Sequence, residues 1–319
     1  MNQNVPPPSK TGSPPAGRFA RAWDSDLAYS FRTSPVAIFA AVLAFVMVFS
    51  AIAAPLIAPY DPFDPASLDL MDGFTRPMQP NEISGKVFWL GSDGQGRDIF
   101  SAILYGSRVS LLVGAASVIF SLVLGVGLGL VAGYIGGRTE ALIMRIADIQ
   151  LSFPAILVAL LVFGVARGLI PPAAQEQATL WVLVVAIGLS NWAQYARTVR
   201  GSTLVEKNKV YVDAARLIGL KAMPVMLRHV LPNVMGPVLV IATINLALAI
   251  IEEATLSFLG VGMPPTQPSL GTLIRFGQQF LFSGEWWILF FPALALVLLA
   301  LAINLLGDWL RDALNPKLR

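Results

Sequence analysis

Six stretches of this chain run for eighteen residues or more without a single Asp, Glu, Lys or Arg: 33–60, 109–137, 149–166, 177–196, 229–251 and 286–307. A helix needs about 20 apolar residues to cross the hydrocarbon core of a bilayer. The pattern therefore predicts an all-α, polytopic membrane helix bundle with six transmembrane helices. A seventh uncharged stretch, 254–274, is interrupted by Pro264, Pro265, Pro268 and several glycines. It reads as the end of span 5 followed by a loop. The chain is 55% hydrophobic and 13% charged, where a soluble domain carries about a quarter charged residues.

Composition removes several chemistries. There is no cysteine and one histidine, His229, so disulfides, a thiolate nucleophile and a multi-histidine or thiolate metal site are excluded. The formal net charge of +3 does not point to nucleic acid, because the basic residues cluster beside the spans, where orientation explains them. With the N-terminus inside, six of the 22 Lys and Arg fall outside: Arg76, Lys86, Arg97, Arg108, Arg167 and Arg275. The excess on the inner side predicts that both termini are cytoplasmic.

Residues 1–34 are rich in Pro, Ser and Gly near the start and read as a cytoplasmic, disordered tail. Span 1 is too long, and its basic flank too extended, for a cleavable signal; it reads as an uncleaved anchor. The first span and an extracytoplasmic loop make up 35–106, the remaining bundle 107–311, and a short cytoplasmic tail 312–319. The loop at 58–106 holds seven acids against three bases, and its prolines argue against regular structure. Gly125, Gly127, Gly129 and Gly133 in span 2 let a neighbouring helix approach closely. Packing within one bundle is favoured over a dimer seam, with Gly125, Gly129 and Gly133 as the contact positions.

Between spans 4 and 5 lies a basic segment unsuited to lipid. Val212, Ala215 and Ile218 recur at helical spacing, with Asp213 and Arg216 on other faces. Gly219 is a helix stop that tolerates positive φ, Pro224 suits the first turn of a second helix, and Pro232 the start of the next span. Connections between helices usually take about 2–8 residues, so this longer, periodic segment predicts a helix-turn-helix knob on which a soluble partner docks.

Asp213-Ala214-Ala215, then Gly219 and Leu231-Pro232, resemble the EAA signature of ABC importer permeases. Asp213 stands where the family usually has Glu, and His229 where many members have Ile. Three further runs narrow the resemblance to the dipeptide/oligopeptide/nickel subgroup, and to its C-type, second permease: Leu90–Asp98 with Leu104–Leu111, Glu253–Gly262 with Pro264-Pro265, and Asn304–Asp312 with Asn315-Pro316. Asn315 replaces an Asp common in that subgroup.

The resemblance implies a heterodimer with a related B-type permease, two ABC ATPase subunits beneath it, and a solute-binding protein delivering cargo from outside, all at the bacterial inner membrane. The knob would be the coupling helix, with Asp213, Ala214, Ala215, Gly219, Leu231 and Pro232 as its ATPase-coupling positions. Peptides are the implied cargo class; nickel chelates, glutathione and opines travel on similar machinery. No G-x-x-x-x-G-K-[ST] run exists, and Gly91–Gly96 lacks the Lys-Ser/Thr pair of a phosphate-binding loop. ATP and magnesium are therefore expected on the partner ATPases, and no cofactor, metal or catalytic residue is assigned to this chain.

Ionisable groups in spans default to functional hypotheses. Glu252 and Glu253 near the end of span 5, and Asp148 at the start of span 3, are candidate pathway or interhelical polar residues, Asp148 with an expected Arg145 partner at i,i+3. An ion-coupled secondary transporter would show internal repeats and leave the knob unexplained. An intramembrane enzyme would need paired catalytic groups that only these carboxylates could supply.

Overall fold

Helices longer than the bilayer is thick dominate the chain. The computed structural model describes residues 26–64 and 68–314. An amphipathic α1 (Asp26–Thr33) leads into α2 (Pro35–Ile52), capped by Ser34, whose hydroxyl accepts from the Ala37 amide. A short α3 (Ala54–Ile57) precedes the loop; then come α4 (Ile99–Ile135), α5 (Gly137–Leu151), α6 (Ala155–Leu169) and α7 (Pro172–Glu206). The knob holds α8 (Val210–Leu217), α9 (Ala222–Val225) and a π-helical turn at Met226–Val230. The chain ends in α10 (Leu231–Phe258), α11 (Leu270–Gln278) and α12 (Trp287–Leu314). Among the described residues there are no strands, only two isolated bridges in the loop.

Five helical segments are long and apolar enough to cross a membrane alone: α2, α4, α7, the run from α9 through α10, and α12. The sixth span departs from the expectation. Stretch 149–166 is not one helix: α5 and α6 meet at a 100° bend. Pro154, without an amide hydrogen and restricting the residue before it, ends α5 just beyond Leu151. The pair makes six spans only if counted as one broken crossing. The tail expectation also changes, since Asp26–Thr33 is helical; the rest of the predicted tail and the C-terminal residues 315–319, with Asn315-Pro316, lie outside the described residues.

The centre of the bundle is the seam between α4 and α7. A Cβ on Gly125 would sit 2.5 Å from the Trp192 carbonyl oxygen, one on Gly129 2.5 Å from that of Ala196, and one on Gly133 2.7 Å from the Thr203 Cβ. The two backbones thus touch every fourth residue, while Gly127 faces open space. On either side of the seam, Val113, Leu183, Ile187 and Leu256 join α4, α7 and α10, and Ile250, Leu270 and Leu299 join α10, α11 and α12.

Among its described residues the loop after span 1 contains one three-residue helical turn, Leu70–Asp72, and is otherwise held by backbone hydrogen bonds of turns and two bridges together with side-chain ones. Asp72, nearly fully buried, binds the Lys86 ammonium at 2.6 Å and the Ser84 hydroxyl. The hydrogen bond to Asp72 raises the Lys86 pKa above its usual value. Ser92 donates to the Asp72 carbonyl and accepts from the Thr75 amide, and the Trp287 indole donates to the Ser92 carbonyl at 3.2 Å, tying the loop to α12. Gly96 has φ +76°, and any Cβ there would strike the Asp69 carbonyl oxygen. Asp98 caps α4 by accepting from the Ser101 amide and hydroxyl.

Candidate functional site: the knob and the polar face of the bundle

The knob is fastened to the bundle by one face and presents the other. Val212 and Ala215 are buried against Val126 and Leu130 of α4, Tyr195 and Val199 of α7, and Val230 and Val234. Ile218, expected on that face, is 78% exposed: α8 has already ended at Leu217, so the helical repeat no longer places it inward. Gly219 is the stop. At φ +86° it donates its amide to the Arg216 carbonyl, while the Leu220 amide reaches the Ala215 carbonyl. Those two bonds form a Schellman motif, in which a positive-φ glycine satisfies the last carbonyls of the helix.

The presented face is apolar at its rim. Val210, Leu217 and Met223 are exposed, beside Asp213 and Ala214. Asp213 accepts from Arg216 at 3.4 Å, both largely exposed, and the Arg216 guanidinium lies over the Tyr134 ring 5.3 Å from its centre. The exposed apolar residues thus surround a charged pair on the side of the knob turned away from the bundle.

A network the sequence did not disclose locks the knob to both flanking spans. The Tyr211 hydroxyl donates to Glu206 at the end of α7 at 2.5 Å and accepts from Asn233 of α10 at 3.2 Å. Lys209 pairs with the same Glu206 at 2.8 Å, and Asn233 also donates to the His229 carbonyl. Burial, then Glu206, pushes the Tyr211 pKa up to about 12. Lys207 closes the C-terminal end of α4 through the Gly133 carbonyl. His229 enters this network by its backbone alone. Glu206 and Asn233 lie 5 and 22 positions from Tyr211, beyond what helical spacing exposes.

The carboxylates of the spans are partnered between helices. Glu253 is fully buried; its oxygens accept from Ser110 of α4 and Ser257, each at 2.7 Å, with the Ser269 hydroxyl beside it. Ser110 also receives the Leu270 amide, so one cluster joins α4, α10 and the start of α11. Glu252, one residue and about 100° round the helix, accepts instead from Asn191 of α7 at 2.8 Å. Asp148 does not pair with Arg145. It accepts from Arg197 of α7, because α5 lies alongside α7 and the guanidinium reaches across. Glu140–Arg200 and the Trp192 indole on Gln150 at 2.6 Å complete that attachment.

Comparison with known proteins agrees with this architecture. Residues 125–319 match a family described as the inner membrane component of binding-protein-dependent transport systems, and residues 20–77 match the N-terminal transmembrane domain of oligopeptide transport permease C. The di/tripeptide transport system permease protein DppC of Pseudomonas aeruginosa is 39% identical, over 86% of this chain and 85% of its own. The oligopeptide permease OppC of Bacillus subtilis is 35% identical, over 92% and 90%. The glutathione permease GsiD of Pectobacterium atrosepticum is 36% identical, over 91% and 89%. Among solved structures, a chain of the inward-facing MetNI methionine ABC transporter shares the fold at TM-score 0.51 and 21% identity, covering 66% of this chain and 94% of that one.

Proposed function

Because the chain belongs to the family of binding-protein-dependent transport system inner membrane components, we propose that it forms half of the translocation pathway of an ATP-driven peptide importer and takes its power stroke through the 207–230 knob. The importer reading rests on the family, and the cargo class on the relatives: each of the three permeases compared above is named for a di- or tripeptide, an oligopeptide or glutathione, itself a tripeptide. A B-type permease partner, two ATPases, an extracytoplasmic binding protein and a cytoplasmic knob at the bacterial inner membrane complete the proposal.

The single observation that carries the mechanism is the knob's two-sidedness. Its buried face and the Glu206–Tyr211–Asn233 network make it one body with α7 and α10, while its outer face is free for an ATPase. Closure of the ATPases would displace the knob, and spans that cannot flex independently would turn with it, in the manner of rigid-body switching. ATP binding and hydrolysis stay on the ATPases; this chain supplies the lever and part of the path.

The test is transport by variants. Asp213→Arg reverses a charge at the presented face, and Gly219→Pro forbids the positive φ that ends α8. Both should insert and assemble normally yet lose binding-protein-dependent peptide uptake in reconstituted vesicles. Wild-type uptake by both variants contradicts the lever role.

A further inference from the structure

Resting on the peptide-importer reading, we infer that the groove between α7 and α10 is a contact site for the main chain and terminal carboxylate of the peptide in transit. The groove has a volume of about 420 Å³, within the roughly 300–1,000 Å³ of small-molecule sites. Gln194, Arg197 and Thr198 line it from α7, and Asn245 from α10. Its other wall is apolar: Ile241, Ile244 and Leu248 lie on the same face of α10 as Asn245.

At 1.5 Å per residue, Gln194 lies about 18 Å along α7 from its knob end, and Asn245 about 21 Å along α10 from its own. Gln194 thus falls near the inner end of the uncharged 177–196 stretch, and Asn245 within the 229–251 stretch. Gln194 and Arg197 are exposed there. Arg197 follows the uncharged 177–196 stretch on its inner side and pairs with Asp148 while still exposed, so this end of the groove meets water rather than acyl chains. Asn245 is 5% exposed, and its Nδ2 faces the hydroxyl of fully buried Tyr195 without closing a well-formed hydrogen bond to it. Buried polar groups are ordinarily satisfied. Of the two, Asn245 lines the groove, so its amide keeps hydrogen-bonding capacity for a partner that arrives there.

The chemistry selects the occupant. Side-chain amides such as Gln194 and Asn245 both donate and accept, matching the alternating N–H and C=O of a peptide backbone. The Arg197 contact with Asp148 uses Nη2, leaving further donors of a planar fork suited to carboxylate. The apolar wall makes no directional demand, so side chains of different size pass. A site built this way reads what all short peptides share and ignores what distinguishes them. None of the three carboxylates singled out from the sequence lines it; Asp148 touches it only through Arg197.

The experiment uses the assembled complex with its binding protein and ATPases in lipid nanodiscs. A photo-crosslinking amino acid replaces exposed Leu248 in the groove, or exposed Leu161 on α6 as control. Tritiated Ala-Ala-Ala is supplied on the binding protein during ATP turnover. The expected result is tritium on this chain from the Leu248 probe, chased by unlabelled peptide, and none from the Leu161 probe. In vesicles, Asn245→Leu and Arg197→Gln should lower Ala-Ala-Ala uptake about tenfold, the effect of losing one charge-assisted or buried contact, with Arg197→Lys partly restored. A Leu248 probe that joins only the partner permease identifies the groove as a subunit seam and overturns the inference. Peptide uptake without a Leu248 adduct overturns the groove alone, whereas a wild-type complex that moves no peptide removes the cargo reading and this site with it.

Discussion

Helix α7 has two faces that follow opposite rules. Toward α4 it meets Gly125, Gly129 and Gly133 backbone to backbone, with no room for a methyl group. Toward α10 it leaves a largely apolar groove that carries Gln194, Arg197 and Asn245, the last with an amide nitrogen that closes no well-formed hydrogen bond. The first face is finished within the chain; the second is not. Lipid offers no hydrophobic drive for helices to associate, so close packing of small residues must hold the bundle together. An open groove adds nothing to that, so the two faces of the same helix can be tested apart.

Gly129→Leu should break the comparison most severely. Four extra carbons would strike Ala196 and Val199, and overpacking of this kind costs about 1–3 kcal/mol or more. The expected outcome is loss of monodisperse protein on size-exclusion chromatography. Glu253→Ala comes next: it strips Ser110 and Ser257 of their acceptor, and each buried unsatisfied group costs about 1–3 kcal/mol. A lower melting temperature in detergent checks it, with α11 loosening first by hydrogen exchange.

Asn245→Leu tests the opposite face. It removes an amide nitrogen that makes no hydrogen bond, so stability should change by less than about 0.5 kcal/mol, measured as an unchanged melting temperature. A large loss would place Asn245 with the seam. The smallest effect concerns the knob. Tyr211, with its pKa raised from its usual 10.0 to about 12, favours the neutral phenol in the folded state. Its contribution is therefore complete below pH 10 and lost as pH rises through about 12. Proteolysis of the knob should accelerate across that window in the wild type, and Tyr211→Phe should flatten the rise.

Hydropathy made most of the bundle legible, since lipid demands long uncharged helices and the glycine repeat names its own seam. It could not show the break at Ser152–Pro154, because an apolar count is blind to direction, although Pro154 was the visible cue. The knob was readable through Gly219 and the spacing of Val212 and Ala215. Its lock was not, because Glu206, Tyr211 and Asn233 meet only after α7 and α10 are placed side by side. The same holds for Glu252 and Glu253, conspicuous as carboxylates while Asn191 and Ser110 were ordinary polar residues. Asn245 gave a fainter signal as the one amide side chain between Pro237 and Glu252.

The most direct measurement is co-purification of the tagged chain with the proteins expressed beside it, followed by an ATPase assay with and without binding protein. The account predicts a complex containing an ATPase that binding protein stimulates, with stimulation lost in Asp213→Arg and Gly219→Pro. A chain that purifies alone and moves peptide down an ion gradient would contradict it.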